Sequence, residues 1–281
     1  MSSPELLETE ILLEGLQFPE GPRWHDEKLW FSDMNARKVM TVDLQGNAET
    51  IVEMEDSPSG LGWLPNGTLL IVSMGEERLL RLEPDGLKEH ADLSSLATYR
   101  CNDMVVDKKG RAYVGNFGFD LQSGKYKPAE IIMVTSEGDA QIVADNMVFP
   151  NGTVITPDDK TLIVGETYGN RLTAFDIFED GLLGGRRVWA KLQSLLPDGI
   201  CLDAKGGIWF AAPGSGKVFR VLEGGTVTHE VKGFSKPFAC MLGGPDRRTL
   251  FIATSTAFDQ DGTIEGRIEI VKVEIPGAGL P

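Results

Sequence analysis

A tetrapeptide recurs along this chain. It reads Phe18-Pro19-Glu20-Gly21, Ser57-Pro58-Ser59-Gly60, Phe149-Pro150-Asn151-Gly152 and Leu196-Pro197-Asp198-Gly199. Degraded copies stand at Arg100-Cys101-Asn102-Asp103 and Lys236-Pro237-Phe238-Ala239. Between the third residues of successive copies (Glu20, Ser59, Asn102, Asn151, Asp198 and Phe238) the steps are 39, 43, 49, 47 and 40 residues. Six near-equal units of this size predict a closed array of four-stranded blades. Equivalent positions in such an array meet around one axis.

The units share an internal grammar. After each Pro-x-Gly comes a short strand, then a turn such as Pro65-Asn66-Gly67 or Lys108-Lys109-Gly110. Gly, Asn and Asp supply the positive φ or local hydrogen bonds that such hairpins need. A nearly continuous apolar strand follows, for example Leu69-Leu70-Ile71-Val72 or Ile208-Trp209-Phe210-Ala211. That pattern suits strands buried on both faces between packed blades. Third strands follow, as at Lys38–Val42 and Arg171–Phe175. The sixth unit ends after its third strand, Arg267–Val273, and an unused strand candidate lies at Glu10–Leu13. The reading is all-β, a six-bladed β-propeller in one domain over residues 1–281, with the last blade closed by the N-terminal strand so that no edge is left open.

Asp and Glu outnumber Lys and Arg by 42 to 27, a net charge of −15. With no basic stripe to offset it, this field argues against nucleic acid and anionic membranes as partners. No obligate protein partner is evident. Cys101, Cys201 and Cys240 form no CxxC pair, so buried reduced thiols are expected. The N-terminus carries no apolar signal segment, and no run approaches a membrane span, so a cytoplasmic location is expected.

Glu20, Asn102, Asn151 and Asp198 offer two carboxylates and two amide carbonyls at the repeated position. Hard oxygen donors of this kind suit Ca²⁺, Mg²⁺ or Mn²⁺. A turn with a free third residue accounts for Ser59 and Phe238. It does not account for Glu20, which is not a usual turn residue and stands in register with Asn151 and Asp198. Arg100 precedes Asn102 by two residues, so strand alternation would bring it into the same cavity to hold a carboxylate or carbonyl oxygen; an exposed arginine at a blade tip is the other reading. Gly214-Ser215-Gly216-Lys217 lacks the first glycine and the final Ser or Thr of a phosphate loop. Asp259-Gln260-Asp261-Gly262 lacks the spaced Glu of a calcium loop and reads as a turn. The only histidines are His25, His90 and His229, none near the repeated position, which argues against a His-rich zinc site and a Ser-His-Asp triad.

The segments Phe18 to Trp24, Arg100 to Asp103, Phe149 to Gly152, and Leu196 to Gly199 with Asp203 and Gly206-Gly207 resemble the regucalcin, gluconolactonase and luciferin-regenerating-enzyme family of six-bladed propellers. The resemblance covers almost the whole chain. It implies a metal-dependent lactonase acting on a small-molecule lactone or ester. By the same resemblance Glu20, Asn151 and Asp198 bind the ion, Asn102 contacts its water or the substrate, Arg100 contacts substrate, and Asp198 is the general base. One divalent ion is implied, calcium first, with manganese, magnesium, zinc or iron as alternatives. Two departures stand out: Met104 replaces a usual glycine, and Glu166-Thr167-Tyr168 stands where sugar lactonases often have Asp-Ser. Met74, Phe117, Phe119, Tyr168 and Phe238 are expected near the channel mouth, with Phe117 and Tyr168 as substrate contacts. That is an apolar lining for a sugar; packing of these residues between blades is the alternative. The same ion could also serve an aryl-ester or organophosphate hydrolase, or a non-catalytic calcium-binding propeller.

Overall fold

The computed structural model describes residues 4–122, 124–233, 235–257 and 264–280. Each of the first five repeats folds as an antiparallel four-stranded meander, and the sixth supplies three strands of its blade. The innermost strands are Pro19–His25, Pro58–Trp63, Cys101–Val106, Pro150–Ile155, Ile200–Leu202 and Lys236–Gly243. Each touches its two neighbours, and the last touches the first, so six blades close around one axis. The apolar second strands are buried along their whole length in four blades, at Leu69–Ser73, Ala112–Asn116, Ile208–Ala212 and Thr249–Ser255. The core accordingly runs between blades; Phe31 and Leu29 of the first pack with Trp209 of the fifth and Phe251 of the sixth.

The glycine of the tetrapeptide has a steric cause. A Cβ on Gly60 would fall 2.5 Å from the backbone nitrogen of Met104, and one on Gly21 (φ 55°) 2.8 Å from the carbonyl of Ser59. Inner strands converge so closely at these two glycines that no side chain fits there.

Closure follows the sequence expectation and extends it. Glu10–Leu16 pairs antiparallel with Gly266–Lys272 and completes blade six. Glu5–Glu8 then adds a fifth, parallel strand to blade five beside Val227–Lys232, a pairing the sequence reading did not contain. One N-terminal segment thus covers the outer edges of two blades. At the other terminus, the tail crosses the end of the channel opposite the tetrapeptides. Gly277 N donates to Arg247 O (2.8 Å), Ala278 N to Leu202 O (2.9 Å) and Leu280 N to Ile155 O (3.0 Å).

The thiols are free and buried, with Cys201 and Cys240 Sγ 3.9 Å apart. Gly214-Ser215-Gly216 forms a tight hairpin turn, and Asp259–Gly262 lies outside the described residues. No helix among the described residues is long and apolar enough to cross a membrane.

Candidate metal and substrate site

Glu20, Ser59, Asn102, Asn151 and Phe238 stand at the starts of five inner strands, and Asp198 lies just before the sixth. Asp198 accepts a hydrogen bond from the Asn151 amide. That amide also donates to Thr167 Oγ1 (3.2 Å), whose hydroxyl is tied to Pro197 O (2.8 Å). Across the ring the Ser59 hydroxyl donates to Asn102 Oδ1 (3.4 Å).

Glu20 and Asp198 share the channel, and their charges oppose each other. Burial pushes the Asp198 carboxyl up to about 8; the Asn151 hydrogen bond opposes this and the charge of Asp103 adds to it. Burial likewise holds Glu20 well above the usual carboxylate range, reinforced by Asp198 and offset by the Gly21 amide. Two desolvated carboxylates that disfavour ionisation in each other's presence mark a place short of positive charge. The cation whose charge reaches Glu20, Arg23, is already engaged elsewhere. Its guanidinium donates to Leu61 O, Pro22 O, Met104 O and Asp103 Oδ1, the last at 2.5 Å, with Arg23 and Asp103 both buried. Carboxylates, amide oxygens and uncompensated negative charge fit a hard divalent ion. Among the described residues no group of three or more His, Cys, Asp or Glu forms a metal cluster, so the amides are needed to complete this donor set.

Asp103 and Arg23 are the residues the sequence reading missed. A signal was present, because Asp103 occupies the glycine position of the third copy. An acid where converging backbones ordinarily exclude any side chain requires a dedicated partner, and Arg23 reaches across from blade one to supply it.

Of its two expected places, Arg100 takes the blade tip. It is exposed, and its guanidinium lies over the Tyr99 ring, 5.9 Å from the centroid. The strand begins only at Cys101, so alternation within it does not extend to residue 100. The aromatic residues divide. Met74 and Phe238 are buried, and Phe238 packs on Phe18 at 4.6 Å, so neither forms open lining. Phe117 stacks on Phe149 (4.6 Å), Phe149 meets Tyr168 edge-on (5.3 Å), and Phe119 approaches Tyr168 (5.9 Å). Tyr168 is 47% exposed, and burial together with the Asp198 charge raises its phenol, which sets this wall beside the carboxylates. Phe149 holds φ at 60°, a strained value for an aromatic residue, where its ring completes the wall. Glu166 does not line the site. It is fully buried, pairs with Arg171 (2.8 Å) and accepts from Val148 N (2.7 Å), anchoring the loop that carries Phe149.

Comparison with known proteins agrees with this architecture. The model of the SMP-30/gluconolactonase/LRE-like region matches residues 18–256. A 6-deoxy-6-sulfogluconolactonase of Pseudomonas putida is 25% identical, with 93% of each chain covered. A pentonolactonase of Haloferax volcanii is 26% identical over 91% of this chain and 87% of its own. Among solved structures, the calcium-binding protein regucalcin of Agrobacterium tumefaciens superposes with a TM-score of 0.78 at 22% identity, covering 98% of this chain and 99% of that one.

Proposed function

The chain belongs to the SMP-30/gluconolactonase/LRE-like family, and from that premise we propose that it is a divalent-metal-dependent hydrolase that opens a lactone. The observation that carries this reading is the buried Glu20 carboxyl, whose ionisation the Asp198 charge opposes, with the Asn151 amide hydrogen-bonded to Asp198. The names of the lactonase relatives support the reaction class.

Glu20, Asn151 and Asp198 would hold the ion, with Asn102 at its open side. When bound, the cation supplies electrophilic polarisation of a carbonyl and acidification of water. The protein's own groups do the rest. Asp198, once ionised, takes the proton of the attacking water. The Asn102 amide, oriented by the Ser59 hydroxyl, donates to the oxygen on which charge develops. Asn151 holds the Asp198 carboxylate in place through the Thr167–Pro197 chain of hydrogen bonds. Arg100 meets substrate from the rim. Phe117, Phe119, Phe149 and Tyr168 give one wall an apolar face, which favours alkyl- or aryl-substituted lactones over sugar lactones, whose hydroxyls would lack partners there.

A second reading, a non-catalytic cation-binding propeller, draws on the exposure of Arg100. The test is steady-state hydrolysis of gluconolactone and of an aromatic-fused lactone, before and after chelation, with Asp198→Asn alongside. Chelation should abolish turnover, Ca²⁺ or Mn²⁺ should restore it, and Asp198→Asn should lower kcat ~10²-fold or more, the scale of general-base loss. Full activity in metal-free protein overturns the mechanism, and cation binding without hydrolysis of any lactone establishes the second reading.

A further inference from the structure

The opposite mouth of the channel carries a different chemistry. A cavity of about 270 Å³ opens there, lined by Trp24, His25, Leu61, Trp63, Val106 and Arg247 and bordered by the C-terminal tail at Gly279 and Leu280. We propose that it is a second small-molecule site, for a small organic carboxylate with a flat apolar body.

Two independent features lead to that ligand. The first is the wall. The His25 ring stacks on Trp63 with centroids 4.0 Å apart, and Trp30 meets Trp63 nearly at right angles at 5.4 Å. Trp30 Nε1 donates to His25 O (3.1 Å), so the rings are fixed before any ligand arrives. Aromatic planes of this kind favour a flat partner. The volume sits just under the ~300–1,000 Å³ of sites for drug-sized ligands, so the fit is to something of benzoate size.

The second feature is charge. The other basic residues at this cavity are occupied: Arg23 by Asp103 and three carbonyls, Lys108 by Asp159 (2.7 Å) and Pro157 O. Asp107 is taken by Arg111 and the amides of Lys109 and Arg111. The Arg247 guanidinium makes no hydrogen bond or ion pair among the described residues, and its Nε is buried without an acceptor. Gly277 leaves it room, since a Cβ there would fall 3.3 Å from that Nε. The chain has 42 acidic and 27 basic residues. An unneutralised, partly desolvated arginine is therefore an exception in this protein, and a guanidinium fork is shaped for a carboxylate. The Arg23–Asp103 pair crosses the channel between this cavity and the Glu20–Asp198 end, so the two sites are separate.

Isothermal titration of the full-length protein with benzoate, and with neutral benzamide of the same shape, tests the site. Benzoate should bind one to one, and benzamide at least about tenfold more weakly, because a charge-assisted pair is lost. Arg247→Gln keeps much of the side chain but removes the charge; it should weaken benzoate by a similar factor and leave lactone hydrolysis unchanged. Arg100→Ala, at the other mouth, should leave benzoate binding unaltered. No benzoate binding, equal affinity for benzamide, indifference to Arg247→Gln, or loss of binding in Arg100→Ala would each overturn the proposal. The first two outcomes need no variant.

Discussion

The same six strands make both ends of the channel, and the ends are chemically opposite. Where the strands begin, Glu20, Asn102, Asn151 and Asp198 present oxygen atoms and an excess of negative charge. Where they end, His25 and Trp63 present stacked rings, and Arg247 presents positive charge. The first end is built by repetition, with one residue per blade at one register. The second is built by exception: the C-terminal tail lies against blades four to six and leaves the sector of blades one to three open. A propeller can therefore carry two sites of different provenance on one axis, one inherited from its repeat and one created where the repeat stops.

The partition between the ends gives the largest effect on stability. Arg23→Met should leave Asp103 buried without its counter-charge and cost about 3–5 kcal/mol, the scale for breaking a buried pair from one side. Replacing Asp103 with Leu in the same protein should recover part of that loss, as measured by denaturant unfolding. If Arg23→Met unfolds at the wild-type midpoint, the pair does not hold the channel together.

A smaller effect separates the ends by pH. In metal-free protein Asp198 keeps its proton up to about 8, whereas in the unfolded chain it gives it up near ~3.9. The folded state thus binds more protons between those values, and its stability falls as pH rises from about 4 to 8. Adding a divalent ion should remove that slope, since the cation then offsets the charge, and Asp198→Asn should reduce it without metal, leaving the part that belongs to the buried Glu20. Arg247→Gln, at the other end, should leave the slope intact. Melting temperatures at pH 5 and pH 8, with and without chelator, decide it; identical slopes in wild type and Asp198→Asn would show that this carboxyl is not the titrating group.

The smallest effect concerns the aromatic wall. Tyr168→Ala should raise KM for an aromatic-fused lactone by about three- to tenfold, in line with the ~0.5–1.5 kcal/mol of an aromatic contact, and should change kcat and gluconolactone kinetics little. Equal effects on both substrates would place Tyr168 outside the substrate path.

Sequence by itself determined the architecture, because period, turn residues and doubly apolar strands are local signals and each repeat states them again. It also marked Glu20, Asn102, Asn151 and Asp198, since symmetry turns a shared register into spatial proximity. Tertiary structure decided what symmetry does not reach. The parallel docking of Glu5–Glu8 on blade five joins segments far apart in the chain. The Arg23–Asp103 pair depends on how closely three inner strands converge. Arg100 is exposed, one residue before its strand begins, and the rings of Phe117, Phe149 and Tyr168 meet through loops of two blades, one held in a strained backbone by the buried Glu166. The cavity beside Arg247 is bordered by Gly279 and Leu280, which lie far from its aromatic wall in the sequence. Contacts of this kind are set by where backbones cross in space, and no local run of residues encodes them.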